Sequence, residues 1–213
     1  MKENFDFSKI ENFADHIEQS IPNYKGLNSL LKDIVAEYLT PGDTIVDLGC
    51  SQGSFLSSLQ IPNVTKKGVD LIDFKGRLGG FDFVKDSIVN YLDDTIEEHQ
   101  EIITSIFTLQ FLGNKERRDV LSKLERKIKE QNSIVIIAEK TFLEDSKLNQ
   151  LMHRSHMQLK RKSFNDTEIL NKDDRLIGSM FCKTKEQVEK ELSKLGKHCQ
   201  IWQSFNFHAW IVT

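Results

Sequence analysis

The chain has 213 residues, of which 38% are hydrophobic, and this length and composition suit one α/β domain with additions. The formal net charge is −3, so no overall basic field favours nucleic acid as a partner. No run approaches the roughly 18 apolar residues of a membrane span, and the N-terminus lacks an apolar signal core. These features predict a soluble, cytoplasmic protein with no membrane partner. Three scattered cysteines and six dispersed histidines predict neither a disulfide framework nor a metal site.

Two amphipathic helices are predicted ahead of the first strand. The first lies within residues 8–20, and the second ends at a Thr-Pro-Gly stop near residue 40. We expect one domain in which residues 1–40 form a helical cover and residues 41–213 form the core, with a helical insertion around 160–182. Tyr24 lies in the break between the two helices, where its side chain would either close over a ligand or pack the joint.

A strand, a glycine loop and a helix are predicted over residues 43–59. Apolar and β-branched residues lead into the run Asp47-Leu48-Gly49-Cys50-Ser51-Gln52-Gly53, and apolar residues at helical spacing follow it. The glycines permit a sharp turn that leaves room for a ligand, and the loop amides can donate to a carboxylate or phosphate. This run resembles the first motif of class I S-adenosylmethionine (SAM) methyltransferases. A strand that ends in glycine is also common in α/β proteins with other functions.

Acidic residues end the next two predicted strands. Asp70 closes the second strand, where a carboxylate can accept hydrogen bonds from both ribose hydroxyls of a nucleotide, although a turn aspartate is the alternative. The crossover at 74–80 is too short for a full helix. A third strand over 81–85 then ends in Asp86-Ser87, and an acid at this place in SAM folds commonly hydrogen-bonds the adenine amino group.

The remaining elements alternate as in an open α/β sheet. A continuously apolar fourth strand over 102–109 places Gln110 at its carboxyl end, the edge at which ligands bind in such sheets. Further helices are predicted over 114–130, from 144, over 166–180 and over 184–195, and further strands over 133–138, 198–203 and 205–212. The last two strands would form an antiparallel hairpin. The basic segment Arg154–Lys162 predicts either a solvated helix face or a contact with a nucleic-acid acceptor.

Four separated stretches resemble the carboxy-S-adenosyl-L-methionine (carboxy-SAM) synthases of tRNA wobble-uridine modification. They are Ile17–Tyr24, Asp47–Ser51, Phe107–Leu112 with Glu139-Lys140 and Glu144-Asp145 downstream, and Trp202–Phe207. The resemblance implies a Rossmann-like class I methyltransferase fold with a mostly parallel seven-stranded sheet, a C-terminal antiparallel hairpin and the N-terminal helical cover. It also implies a homodimer and a SAM pocket lined by Tyr24, Gly49, Cys50, Ser51, Asp86 and Ser87. The motif residues Asp47, Gly53 and Asp70 belong to the same predicted pocket.

Several positions depart from the pattern of that family. Ile106 stands where the family has asparagine, and Leu71 follows the second-strand acid at a position that touches the cofactor in the family. Asp173 replaces an arginine that holds the carboxylate of the carboxylated cofactor, and an acid there would repel a carboxylate. Arg175 lies about 200° around a helix axis from that position. We take Arg175 and Gln110 as candidate catalytic residues, and Ile106 and Leu71 as further cofactor contacts.

Three functions follow from these patterns. The first is SAM-dependent methyl transfer to an unknown acceptor, which needs an aligned acceptor and the exclusion of water. The second is the synthesis of carboxy-SAM from SAM and prephenate, which the family motifs favour but Asp173 and Ile106 oppose. The third is a SAM-fold protein that binds a partner without catalysis. The short crossover and a lysine after a central strand also resemble the heat-shock rRNA 2′-O-methyltransferases, whose C-terminal pattern differs.

Overall fold

The computed structural model describes residues 13–94 and 101–213, and its helices alternate with the strands of one sheet. The helices are α1 (Phe13–Ser20), α2 (Tyr24–Tyr38), α3 (Ser54–Ser57), α4 (Ile88–Asp94), α5 (Asn114–Gln131), α6 (Ser146–Lys160), α7 (Asp166–Leu176) and α8 (Lys185–Leu195). The strands are β1 (Thr44–Leu48), β2 (Thr65–Asp70), β3 (Asp82–Lys85), β4 (Glu101–Ile106), β5 (Ile134–Phe142), β6 (Lys183–Thr184), β7 (His198–Ser204) and β8 (Phe207–Val212). No described helix is long and apolar enough to cross a membrane.

The sheet has the strand order β3-β2-β1-β4-β5-β8-β7. Strands β1 to β5 pair in parallel, and β8 runs antiparallel to both β5 and β7. The predicted seven-stranded sheet with its C-terminal hairpin is therefore confirmed, and the two-residue β6 adds a short pairing with β5. Because the chain moves from β1 outward to β3 and then returns to β4, the carboxyl ends of β1 and β4 form the switch point at which open α/β sheets bind ligands.

Apolar side chains cover both faces of the sheet, since successive residues of a buried strand point to opposite sides. Val46 faces one layer formed by α4, α5 and α8, whereas Ile45 faces a second layer that includes α2 and α3. Leu27, Leu31 and Val35 of α2 are fully buried in that second layer. This packing confirms the helical cover that was predicted ahead of the first strand.

Several elements differ in extent from the sequence predictions. Helix α3 is a single turn, α4 was not predicted, and β5 continues four residues further than expected, to Phe142. Helix α7 ends at Leu176 rather than at 180, because Ile177 is extended and Gly178 follows in the left-handed region at φ +83°. Residues 71–81 contain no helix, as predicted for the short crossover. The first part of the predicted helix over 8–20 lies outside the described residues.

Candidate active site

The loop after β1 is fastened to the end of β2 by backbone and carboxylate hydrogen bonds. The amides of Gly49 and Cys50 donate to the carbonyl of Val69 at 2.8 and 3.1 Å. The amide of Ser51 donates to Asp70 Oδ2, and the amide of Ile72 donates to Asp70 Oδ1, each at 3.0 Å. A carboxylate offers about four lone-pair positions, so Asp70 orders the loop and keeps acceptor capacity for a ligand hydroxyl.

Burial changes the chemistry of the side chains beneath this loop. Asp47 is only 4% exposed, and its Oδ1 accepts a hydrogen bond of 2.7 Å from Thr104 Oγ1 of the neighbouring strand β4. Burial and the nearby charge of Asp70 raise the pKa of Asp47 to about 7, although the bond from Thr104 lowers it. Burial also raises the pKa of the Cys50 thiol, which keeps it protonated at neutral pH. The buried Ser51 hydroxyl has no hydrogen-bond partner among the described residues.

The two loop glycines are packed against side chains of the protein itself. Gly49 has φ +81°, and a β-carbon there would lie under 3.0 Å from three atoms of the Thr108 side chain. Gly53 has φ +78°, and a β-carbon there would overlap the ring of Phe81. A side chain at either position would therefore meet the protein itself, and room for a ligand along the loop backbone stays a prediction. The glycines are required by left-handed backbone and close internal packing.

An aromatic group borders the loop on the side of the helical cover. The ring of Tyr24, the first residue of α2, lies 6.4 Å from the ring of Phe107, which in turn lies 5.7 Å from the ring of Phe207. Burial, followed by the charge of Asp47, raises the pKa of Tyr24 and keeps its phenol neutral. Phe107 adopts φ +58°, a conformation that aromatic residues rarely take and that clusters at functional sites.

Asp86 and Ser87 lie at the same edge of the sheet and immediately precede α4. The amide of Asp86 donates to the carbonyl of Asp70 at 3.2 Å, which joins the ends of β2 and β3. Asp86 Oδ1 accepts from the amide of Ser87 and from the side chain of Asn90. Leu71 is 66% exposed directly after Asp70, while Ile106 is half-buried at the end of β4. The structure thus brings the predicted cofactor residues to one edge.

Gln110 is buried, and the protein itself occupies its polar groups. Its Oε1 accepts a hydrogen bond of 2.8 Å from the amide of Lys140, and its carbonyl accepts one of 2.6 Å from the amide of Phe181. Its Nε2 lies 3.6 Å from the sulfur of Met180. These contacts tie the end of β5 to the segment after α7. They give Gln110 a structural role, and its participation in catalysis stays a prediction.

Arg175 lies apart from the glycine loop, on α7. It lines a cavity of about 330 Å³ together with residues of α1 and α6. Asp173, on the same helix, forms an ion pair of 3.2 Å with Lys160, which offsets the repulsion that an acid there was expected to exert on a carboxylate. Lys172 lines the cavity as well, and no local sequence signal distinguished it from the other lysines, because its surroundings come from three separate helices.

The basic segment Arg154–Lys162 does not form one continuous charged surface. His156 is buried, and its Nε2 lies 2.9 Å from the carbonyl of Ser20. The Lys160 side chain is only 7% exposed and turns toward Asp173, while Arg161 pairs with Asp166 at the surface. The fold therefore divides the cluster between the interior and the solvent.

Similarity to curated proteins extends along nearly the whole chain. The carboxy-SAM synthase of Pasteurella multocida is 28% identical, in an alignment that covers 97% of this chain and 91% of that protein. The synthase of Escherichia coli O1:K1 is also 28% identical, with coverages of 95% and 87%. The sequence is thus similar to those of carboxy-SAM synthases along nearly its whole length. No protein-family model matches it.

Several solved structures share the fold of this chain at low sequence identity. The small RNA methyltransferase HEN1 gives a TM-score of 0.58 at 18% identity and covers 90% of this chain, which spans 26% of HEN1. A SAM-dependent methyltransferase from Archaeoglobus fulgidus gives a TM-score of 0.55 at 16% identity, with coverages of 94% and 99%. The DhpI–SAH complex gives 0.55 at 9% identity, with coverages of 95% and 87%. The predicted Rossmann-like class I methyltransferase fold is confirmed.

Proposed function

We propose that the chain is a SAM-dependent transferase that binds its cofactor at the carboxyl ends of β1, β2 and β4. The Asp70 carboxylate, which holds the loop through the Ser51 amide and keeps free acceptor positions, is the observation that carries this proposal. Asp70 ends β2, the strand next to the switch point between β1 and β4. The buried Ser51 hydroxyl, which has no partner within residues 13–94 and 101–213, and the similarity to SAM-fold enzymes support the same place.

Each predicted cofactor residue has a role in this proposal. Asp70 would accept from the ribose hydroxyls, and Asp86 with Ser87 would meet the adenine amino group. Tyr24 would close the site from the helical cover. Asp47 at the end of β1 and the loop residues Gly49, Cys50, Ser51 and Gly53 would supply further contacts. The apolar side chains of Leu71 and Ile106 would supply the remaining ones.

The main reaction that we propose is methyl transfer from SAM to an acceptor. The sulfonium already activates the methyl group, so an acceptor nucleophile forms the new bond to carbon while the carbon–sulfur bond breaks and S-adenosylhomocysteine (SAH) leaves. The protein needs to align the acceptor and exclude water. The packed rings of Tyr24, Phe107 and Phe207 beside the loop fit the exclusion of water.

Carboxy-SAM synthesis from SAM and prephenate is the second candidate function. The curated relatives favour it, because they carry that name at 28% identity over nearly the whole chain. The objection from Asp173 is weaker than the sequence indicated, since Lys160 neutralises this carboxylate. Ile106, in place of the family's asparagine, remains the departure that opposes it. The third candidate function is binding of SAM without catalysis. A protein that carries SAM but forms no product would support it.

The mass of the ligand that co-purifies with the protein separates these functions. SAM or SAH would support methyl transfer, whereas a species one carboxyl group heavier than SAM would support the synthase.

The complementary experiment is competitive binding of SAM and carboxy-SAM to wild type and to Asp173→Arg. We expect wild type to prefer SAM and the arginine to narrow or reverse that preference by about tenfold or more, because it supplies a charged fork for a carboxylate. A wild type that prefers carboxy-SAM would overturn methyl transfer.

A homodimer and a cytoplasmic location are part of this proposal. Exposed apolar side chains on α6 and α7 support self-association, and they include Leu148, Leu151 and Leu170 at 53%, 59% and 60% exposure. Sedimentation equilibrium would measure the mass in solution, and a concentration-independent monomer would contradict the dimer.

The proposed cytoplasmic location rests on composition alone. A nucleic-acid acceptor through Arg154–Lys162 would have to use its solvent-facing residues, such as Arg154 and Lys162.

A further inference from the structure

Asp47 is a buried acid at the proposed cofactor edge that has no balancing cation among residues 13–94 and 101–213. It lies near the carboxyl end of β1 and is only 4% exposed. Its Oδ1 accepts the 2.7 Å hydrogen bond from Thr104 Oγ1, and neither carboxylate oxygen forms an ion pair with a described residue. Buried carboxylates are ordinarily paired with a cation or well supplied with hydrogen bonds. One neutral hydroxyl leaves most of the acceptor capacity of Asp47 unused by the described part of the chain.

A second buried acid, at the opposite end of the same strand, shows the difference. Asp43 is 7% exposed and immediately precedes β1. Its Oδ2 accepts hydrogen bonds from both the amide and the hydroxyl of Thr40, at 2.7 and 2.8 Å. The fold thus gives the carboxylate of Asp43 a structural use in the turn that leads into the strand. Asp47 lies instead beside the loop that is proposed to hold the cofactor, so its charge is available to a ligand.

The titratable groups that interact with Asp47 are acids, namely Asp70 of β2, Tyr24 of α2 and Cys50 of the loop. Burial, the largest cause, and the charge of Asp70 raise the pKa of Asp47 to about 7. The charge of Asp47 in turn adds to burial in raising the pKa of Tyr24 and of Cys50. Arg77 acts on Cys50 in the opposite direction, but less strongly than the two carboxylates. A cation bound beside these groups would favour the ionised form of Asp47.

We propose that Asp47 recognises the positive charge of the SAM sulfonium and thereby lets the site hold SAM more tightly than SAH. The inference rests on the proposed function and adds to it a means of distinguishing substrate from product. Both ligands carry the same adenosine, ammonium and carboxylate groups, whereas only SAM carries a cationic sulfur. Methyl transfer converts the sulfonium into a neutral thioether, so the attraction to Asp47 falls when the product forms. This loss favours the exchange of SAH for a new molecule of SAM.

Recognition by Asp47 makes the binding of SAM depend on pH. SAM favours the ionised carboxylate, so its binding releases the proton that Asp47 carries in part of the free protein near pH 7. The affinity for SAM should therefore rise between pH 6.0 and pH 7.5, by about five- to tenfold if the bound cation keeps the carboxylate ionised. SAH lacks the sulfonium charge, and its affinity should change by about twofold or less.

Calorimetric titration with SAM and with SAH at pH 6.0 and 7.5 tests this proposal, and buffers with different heats of ionisation give the number of protons released. We expect wild type to bind SAM more tightly than SAH at pH 7.5 and to release more protons with SAM. Asp47→Asn removes the charge and keeps the shape of the side chain. It should weaken SAM binding at pH 7.5 by about tenfold or more and SAH binding by about threefold or less, and the pH dependence for SAM should disappear.

Two further variants keep the test valid if Asp47→Asn fails to fold or changes the loop. Thr104→Val removes the hydrogen bond that favours the ionised Asp47, so the rise in SAM affinity should move to higher pH. Because the ligand is the same, any titration of the SAM amino group contributes equally in wild type and variant. The matched control is Asp43→Asn, which removes a buried carboxylate from the other end of β1 and should bind both ligands as wild type does.

Four outcomes would overturn the proposal. The first is tighter binding of SAH than of SAM at pH 7.5, and the second is a wild-type SAM affinity that is equal at the two pH values. The third is an equal loss of SAM and SAH affinity in Asp47→Asn, or the same loss in Asp43→Asn, which would make the effect structural. The fourth is an unchanged pH profile in Thr104→Val, which would assign the titration to another group. A folded wild type that binds neither ligand at either pH would instead count against the proposed function.

Discussion

Glu139 and Lys140 are neighbours on β5, yet their side chains enter two regions of opposite character. Glu139 is fully buried and forms a bidentate pair with Arg117 at 2.7 and 2.8 Å, and Arg117 also bonds Glu191 at 2.8 and 2.9 Å. Burial opposes the charge of Arg117, but its carboxylate partners outweigh that effect and raise its pKa. On the other face of the sheet, Lys140 lies near Lys160, a second cation.

The two regions differ in how their buried charges are compensated. The pairs of Arg117 satisfy the donors of one guanidinium with two carboxylates, so this network fixes α5 and α8 against β5. The lysines on the opposite face crowd one another beside a cavity, and perturbed lysines in such a place are candidates for function. The predictions below test this contrast.

Arg117→Ala should have the largest effect on stability. It leaves Glu139 charged and buried without its partner, which costs about 3–5 kcal/mol of the free energy of unfolding. Lys172→Gln should change that free energy by about 1 kcal/mol or less, because it removes a cation from a crowded group. Urea denaturation of both variants measures the two effects. Equal losses would show that the cationic region also maintains the fold.

Gly49→Val should lower the free energy of unfolding by about 2–6 kcal/mol, since it adds both left-handed strain and overlap with Thr108. Gly80→Val is the matched control, because Gly80 has φ +88° but nothing within 4 Å of its β-carbon position. It should lose only the strain, about 1–3 kcal/mol. Thermal or urea denaturation gives both values. If Gly80→Val loses as much stability as Gly49→Val, overlap with Thr108 does not contribute to the loss.

Protonation of the His208 ring would add a charge on the side of the sheet that holds Glu139 and would change the stability of the fold. It pairs with Glu139 across the strands, is 2% exposed, and has no hydrogen-bond partner for either ring nitrogen among the described residues. Burial, and then the charge of Lys185, lower its pKa to about 4. The neutral ring is therefore favoured in the folded state, so its contribution is complete above pH 6.5 and is lost as the pH falls toward 4.

His208→Leu should therefore lose less stability on acidification than wild type, by about 2 kcal/mol between pH 6.5 and pH 5. Urea denaturation at both pH values measures the difference. If His208→Leu shows the same loss as wild type, His208 is already protonated or solvated in the folded protein.

The sequence predicted the sheet and the residues of the proposed cofactor edge because the relevant signals are local. Apolar runs marked β1, β4 and β5, and the glycine loop with Asp70 marked the cofactor edge. The pairing of Asp70 with the Ser51 amide follows from the parallel register of β1 and β2. A motif of adjacent residues is readable in this way, since chain connectivity already fixes where its members lie.

The cavity between α1, α6 and α7 could not be predicted in the same way. His16 and Lys172 are 156 positions apart, and only the packing of α1 against α7 brings them together. The neutralisation of Asp173 by Lys160 depends on the same packing. The loop glycines were assigned correctly as turn residues, but their neighbours Thr108 and Phe81 come from other strand ends and carry no sequence signal.

Calorimetric titration with SAM tests the central claim, that the edge formed by β1, β2 and β4 binds this cofactor. We predict that folded wild-type protein binds SAM and that Asp70→Ala weakens binding by about 1–3 kcal/mol, roughly five- to 150-fold, through lost charge-assisted hydrogen bonds. Asp82→Ala, an exposed acid on β3, should bind as wild type does. No heat of binding to folded wild type, or an Asp70→Ala variant with unchanged affinity, would contradict the account.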